Sequence, residues 1–386
     1  MPSGMRVIVA PQEFKGTLTA HEAAEAMAEG VKRALPNATV EAIPLSDGGP
    51  ELVDVMLAST SGRRLQAWVQ DPLGRPIDAA WGLLDDGTAV IESAAAAGLV
   101  LLREDERNPA VTSTCGVGQL ILAALDTGCT RIIVGLGGSA TNDGGAGMAT
   151  ALGVRFLDAG GRELPPGGAA LARLERIDLS RLDPRLHDLP VVAATDVTNP
   201  LCGPEGASLV YGPQKGASPE LARLLDEALL RYAEVVERDV GVSVLDRPGA
   251  GAAGGLGAGL MAFAGAEVRP GFDIIAEAIG LREQLVGADL LITGEGRLDG
   301  QTHYGKAVMG VAKMARECLV PVLVVPGALA PGWEALLAYA DGVEPIVGSA
   351  ATEQQARERP AEMLALTVER ALRGWDTMRN AAADPR

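Results

Sequence analysis

Residues Ile132-Ile133-Val134-Gly135-Leu136-Gly137-Gly138-Ser139-Ala140-Thr141-Asn142-Asp143-Gly144-Gly145 carry an apolar β-type run straight into a loop of glycines and short hydroxyl side chains. A helical stretch, 146–152, follows at once. Few architectures accept this order. The strand is apolar on both faces, the loop backbone must lie close to something, and the helix starts without a spacer; layered α/β sheets are built from such units. Two further glycine clusters stand at Thr293-Gly294-Glu295-Gly296 and at 249–259. The 49 glycines follow no period, which points to backbone-lined loops and excludes a collagen-like chain.

Strands and helices alternate at both ends of the 386-residue chain. Arg6–Ala10 reads as a strand, Thr19-x-x-Glu22 as a capping box opening a helix through Leu35, and Thr39–Ile43 as the next strand. Toward the C-terminus, Asp289–Thr293 and Val320–Val325 flank a helix around Lys306–Cys318; Val343–Pro345 and an amphipathic helix over Ala361–Arg373 follow. This alternation predicts a parallel sheet covered by helices on both faces. The middle differs: Ala67–Val69, Ala79–Leu84 and Ala89–Ser93 are short runs joined by turns, which predicts antiparallel pairing. Arg131–Gly135, Val191–Ala194 and a long helix over Ser218–Asp239, with Ser218 as N-cap and Pro219 at the first turn, complete it. The expected organisation is α/β with two domains. An outer one is formed by 1–62 with 285–386, and a mixed α/β domain, 63–284, is inserted into it.

A formal charge of −17, with no Lys/Arg run longer than two, argues against nucleic acid or an anionic membrane surface as partner, since both need a basic footprint. Cys115, Cys129, Cys202 and Cys318 lie far apart, without CxxC spacing, and read as reduced thiols. No signal-peptide pattern precedes the first strand, and 248–266 is too glycine-rich for a convincing membrane span, so a cytoplasmic location is expected.

An acidic chain that handles anions must build positive potential locally. Only five of its 33 basic residues are lysines, and three of these, Lys15, Lys215 and Lys306, adjoin a glycine. An ammonium beside a turn glycine is a way to set a point charge against phosphate; chance placement at surface turns is the alternative. In the 137–145 loop, consecutive N–H groups can form an anion-binding nest, with Ser139 and Thr141 adding hydroxyls. The loop is neither Walker A nor GxGxxG. Asp47, Asp143, Asp196, Glu295 and Asp299 stand at strand ends or glycine turns. Magnesium-dependent phosphoryl transfer needs such carboxylates, although aspartate is also an ordinary turn former. The 249–259 cluster lacks hydroxyls and charges and reads equally as close packing or ligand contact. With His21 and His187 in exposed contexts and His303 the remaining imidazole, a Ser-His-Asp hydrolase is set aside.

Ala10-Pro11, Phe14-Lys15-Gly16-Thr17-Leu18-Thr19, Ser46-Asp47-Gly48-Gly49, the 136–145 loop, Asp196-Val197-Thr198-Asn199-Pro200-Leu201, Gly212-Pro213-Gln214-Lys215-Gly216, 251–257 and Thr293-Gly294-Glu295-Gly296 with Asp299 resemble, in order, the bacterial glycerate kinase family. This is the type with a flavodoxin-like domain and a second α/β domain, and the resemblance spans roughly 5–375. It implies ATP, Mg²⁺ and D-glycerate, with 2-phosphoglycerate the product in several members. Gln12, Glu13 and Pro50 depart from the pattern, in which many members carry Asp, Ser and Glu. In the mechanism expected from these residues, Lys15 and the loop (Gly137, Gly138, Ser139, Thr141, Asn142, Asp143), with Gly294, hold phosphates. Mg²⁺ would be bridged to Asp196 or Glu295, and Asp47 or Asp299 would orient the acceptor hydroxyl. Lys215, Lys306 or an arginine such as Arg297 would pair the glycerate carboxylate. A kinase for a related hydroxy acid and a non-catalytic hydroxy-acid binder stay open, as does a homodimer. A nicotinamide oxidoreductase is disfavoured, because Pro11-Gln12-Glu13-Phe14-Lys15-Gly16 follows the first strand in place of GxGxxG.

Overall fold

The computed structural model describes residues 4–299 and 307–383. Its principal strands in chain order are β1 (Arg6–Val9), β2 (Thr39–Ala42), β3 (Gly62–Gln70), β4 (Pro76–Leu84), β5 (Thr88–Glu92), β6 (Arg131–Gly135), β7 (Val191–Ala194), β8 (Glu267–Arg269), β9 (Leu290–Thr293), β10 (Val322–Val324) and β11 (Gly342–Val343). The helices used below are α1 (Ala20–Ala34), α2 (Leu52–Ser59), α3 (Cys115–Asp126), α4 (Ala146–Ala151), α5 (Pro219–Val240), α6 (Ala252–Ala264), α7 (Ala307–Glu317) and α8 (Pro360–Ala383). The chain divides into two compact units, one running to Asp47 and resuming at Phe272, the other Gly48–Gly271.

In the outer unit five strands pair in the order β11-β10-β9-β1-β2, every pair parallel. Renumbered within the unit this is 2-1-3-4-5, the flavodoxin-like order, with its switch point between β1 and β9. The central strands are fully buried, as their Val, Leu and Ile content requires. Helix α1 starts where the capping box places it: Thr19 Oγ1 accepts from Glu22 N at 3.1 Å, and Glu22 Oε2 accepts from Thr19 N at 2.9 Å. Ala23, Met27 and Val31 form its buried stripe.

The inserted unit holds a six-stranded sheet, β8-β7-β6-β5-β4-β3. Strands β3, β4 and β5 are antiparallel neighbours, joined by the turns expected from sequence, and β5, β6, β7 and β8 run parallel. Aliphatic residues fill its core around Trp81, with a small ring cluster of Phe156, Tyr232 and Phe263. Helix α5 begins with Ser218 Oγ accepting from Leu221 N, a cap contributing about 1 kcal/mol, and ends at Gly241 in the left-handed region. Gly62 opens β3, and residue 284 lies in the short helix Leu281–Leu285. Both sequence divisions therefore fall a little after the change of unit. Helix α2 packs on β4 and β5 and so travels with the inserted sheet, while Leu281–Leu285 packs on α7 in the outer one. Neither association leaves a local signature. Among the described residues no helix is long and apolar enough to cross a membrane.

Candidate active site

In the outer unit the chain leaves the carboxyl end of β1 and folds into a tight turn: Phe14 N donates to Leu18 O, and Leu18 N donates back to Phe14 O. Gly16, at φ +80°, makes the reversal, and Lys15 projects from it exposed. The neighbouring strand end, β9, runs into Gly294-Glu295-Gly296. Gln12 N donates to Gly294 O, Thr293 Oγ1 donates to Ala10 O at 2.7 Å, and a Cβ on Gly296 would stand 3.0 Å from Lys15 N. Lys15 and Glu295 are thus carried by two segments that pack on each other at the switch point, where open α/β sheets bind ligands. Glu295 is buried and Asp299 half-buried. Gln12, also buried, has an Oε1 without a hydrogen-bond partner among the described residues. Lys306, with Gln301, Thr302 and His303, lies outside the described residues.

In the inserted unit, β5, β6 and β7 end side by side, with Glu92 opposite Gly135 and Gly135 opposite Ala194. Their carboxyl ends bring the 137–145 loop beside Asp196, whose Oδ1 accepts from Gly271 N at 3.0 Å. The Gly48–Pro50 segment, directly after Asp47, lies against this edge. A Cβ on Gly137 would meet Gly49 Cα at 2.7 Å, which is why that position tolerates no side chain.

The loop's carbonyls are held from behind. Gly138 O accepts from Leu99 N (2.8 Å), Ala140 O from Thr112 Oγ1 (2.8 Å), Thr141 O from Lys215 Nζ (2.6 Å), Asp143 O from Ala146 N (2.9 Å) and Gly144 O from the Tyr232 hydroxyl (2.8 Å). Its amides are not. The N–H groups of Gly137, Gly138, Ser139, Thr141, Asn142 and Asp143 donate to no acceptor among the described residues. Thr141 Oγ1 and Asn142 Oδ1 are buried and equally unsatisfied, while Asn142 Nδ2 donates to Ser208 Oγ. Ser139, Thr141, Asn142 and Asp143 are buried, Gly137 is half-buried and Gly138 exposed. Buried backbone N–H groups are seldom left unpaired, so the four buried ones mark a place for an acceptor-rich ligand such as phosphate.

Asp143 and Lys215 occupy different positions from a ligand-facing pair. Asp143 is fully buried and accepts from Thr114 N (2.8 Å), Thr114 Oγ1, Gly145 N and Gly147 N. Burial pushes its carboxyl above the ordinary range, opposed by those same bonds. It closes the turn that starts α4. The Lys215 ammonium, 2% exposed, also donates to Ser139 Oγ at 2.9 Å. Desolvation pushes it down to about 7, with the charge of Asp143 acting the other way.

The 249–259 cluster resolves as close packing. Ala253, Gly254 and Gly255 take left-handed backbone at the start of α6, and a Cβ on Gly254 would stand 1.9 Å from Thr141 O. The cluster is the wall against which the loop is pressed. Thr112, Thr114, Ser208 and Tyr232 also shape the loop and were not singled out by sequence. Each is a single hydroxyl in an unremarkable context, Tyr232 merely one position on the buried stripe of α5. Ser113, Cys115, Gly147 and Phe156 help line a separate cavity of about 660 Å³ behind the loop. Burial and the charge of Asp143 push the Cys115 thiol up, which disfavours its thiolate. His21 and His187 are exposed, and the four cysteines are unpaired.

The model of the family described as "Glycerate kinase family" matches residues 7–376. A protein of Escherichia coli (strain K12) named "Glycerate 2-kinase" is 49% identical over 326 residues, covering 84% of this chain and 86% of that one. A "Glycerate kinase" of Bacillus subtilis (strain 168) is 46% identical over 366 residues, covering 94% and 96%. A solved structure from Salmonella typhimurium LT2, provisionally described as glycerate kinase 2, superposes with a TM-score of 0.85 at 43% identity. That match covers 98% of this chain and 100% of that one.

Proposed function

The chain belongs to the glycerate kinase family, and from that premise we propose that it transfers the γ-phosphoryl group of ATP to D-glycerate, giving 2-phosphoglycerate. The observation that carries the phosphate part is the loop with its carbonyls tied back and six amides left without an acceptor among the described residues. Phosphoryl transfer asks a protein mainly for position and charge. The loop amides supply oriented donors to phosphate oxygens. Lys15, exposed at the switch point of the outer sheet, supplies a mobile positive charge.

Among the described residues no three His, Cys, Asp or Glu side chains form a ready metal cage. Mg²⁺ is usually held by one or two carboxylates together with phosphate and water, and the hard oxygens of Asp196 and Glu295, each just past the carboxyl end of a parallel strand, fit that chemistry. Asp196 or Glu295 would hold the ion, with Asp196 fixed in orientation by Gly271 N. When bound, Mg²⁺ neutralises charge on the phosphates. Asp47 or Asp299 would orient the glycerate hydroxyl and accept its proton. Lys306 or Arg297 would pair the glycerate carboxylate, Arg being the better bidentate partner. The name of the Escherichia coli relative, "Glycerate 2-kinase", supports transfer to C2.

Coupling the product to enolase, with and without phosphoglycerate mutase, tests this directly. The expected result is ATP turnover stimulated by D-glycerate and not by lactate, with enolase signal that needs no mutase. Signal appearing only with mutase would place the phosphate on C3. ATP turnover indifferent to glycerate would overturn the substrate assignment.

A further inference from the structure

Lys215 closes the short turn Pro213–Lys215, and Gly216, at φ +93°, sends the chain away from it. The side chain is among the largest wholly buried ones in the protein. Two of its three N–H bonds end inside the loop, at Ser139 Oγ (2.9 Å) and Thr141 O (2.6 Å). These acceptors stand on either side of Ala140, whose own carbonyl is held by Thr112. The charged groups around it are few. Asp143 is occupied by Thr114, Gly145 and Gly147, and the Tyr232 hydroxyl is spent on Gly144 O. A lysine that reaches for a phosphate needs a mobile, accessible ammonium, as Lys15 has; Lys215 has neither property.

We propose that Lys215 is a positioning residue: its ammonium pins Ser139 and Thr141 from beneath, and so fixes the arrangement of the unpaired amides at 137–143, without touching phosphate itself. The pin works by orientation. With Thr141 O drawn down onto the ammonium, the peptide plane it shares with Asn142 N–H is fixed, and Ala140 N–H is held by Ala97 O. The N–H groups of Thr141 and Asn142 stay available to a ligand. The inference deepens the phosphate-loop reading and rests on it.

Amide hydrogen exchange in the ligand-free protein separates the two roles. In Lys215→Met, exchange at Ala140, Gly144 and Leu99, whose N–H groups donate to Ala97 O, Gly254 O and Gly138 O, is expected to quicken by about tenfold or more, the factor one charged hydrogen bond carries, while β6 and β7 keep their protection. KM for ATP should rise by a similar factor. Loop exchange unchanged in this variant, together with a raised KM, would overturn the proposal and make Lys215 a direct ligand contact. Should Lys215→Met fail to fold, a crystal structure of the wild-type protein with Mg²⁺ and a non-hydrolysable ATP analogue decides. Nζ hydrogen-bonded to Ser139 and Thr141 and beyond hydrogen-bond reach of every phosphate oxygen supports positioning; Nζ bonded to a phosphate oxygen overturns it. The exchange measurement involves no substrate, so it stands even if glycerate proves to be the wrong acceptor.

Discussion

At the scale of single residues, Lys15 and Lys215 divide by surroundings rather than by motif. Lys15 stands exposed on a glycine turn, and Lys215 is sunk beneath a loop. Both adjoin a glycine, so sequence ranks them alike; burial separates them, because only a side chain's surroundings decide whether its charge faces ligand or protein. Lys15→Ala should lower kcat/KM for ATP by about two to three orders of magnitude, as loss of one phosphate donor does; activity near wild type would remove it from the site. Asp196→Asn keeps an acceptor for Gly271 N but loses the full charge. The Mg²⁺ concentration for half-maximal rate should then rise by about tenfold or more, and an unchanged Mg²⁺ titration would leave Glu295 as the candidate. Lys215 also gives a pH signature. Burial lowers its pKa in the folded state from 10.5 to about 7. Between those values the unfolded chain binds more protons at this site, so the site's contribution to stability rises with pH across the window. Below pH 7 both states are charged and the contribution is constant. Urea midpoints at pH 7 and 9 should therefore separate more in the wild type than in Lys215→Met, and equal separation would contradict the assignment.

At the scale of elements, what sequence made legible is whatever local periodicity and turn chemistry dictate. The capping box at Thr19 and Glu22 starts α1, Ser218 starts α5, and the short middle strands form the antiparallel part of the inserted sheet. The glycine-rich turn after β6 announced a backbone-lined loop for the same reason, since glycine spacing is itself local. What stayed hidden depends on contacts across long separations. Tyr232 reaches Gly144 O from 88 residues away, and Lys215 reaches Ser139 from 76. The 249–259 cluster was ambiguous because glycine permits ligand approach and chain approach equally; here the approaching group is Thr141 O. Gly254→Ala inserts a methyl where none fits and forces a left-handed alanine. It should destabilise the protein by roughly 1–3 kcal/mol and raise KM for ATP, because the loop must shift to make room. A melting temperature equal to that of the wild type would show the wall to be softer than its distances indicate.

At the scale of the whole molecule, a chain of charge −17 that, as we propose, handles ATP and a carboxylate would place its attraction in a few oriented groups. The flavodoxin-like order of the outer sheet brings the Lys15 turn and Glu295 to its switch point, and the inserted sheet aligns the carboxyl ends of β5, β6 and β7 beneath the amide loop. Each unit uses the same rule, in which strands bury the apolar residues and strand-end loops hold the proposed site residues. Amide chemical shifts in selectively ¹⁵N-labelled protein, with Mg²⁺ and a non-hydrolysable ATP analogue, test the phosphate loop most directly. Downfield movement of the amide protons of Gly137, Gly138, Ser139, Thr141, Asn142 and Asp143 on saturation is the expected result. Saturable binding that leaves those six in place while other amides move would contradict it.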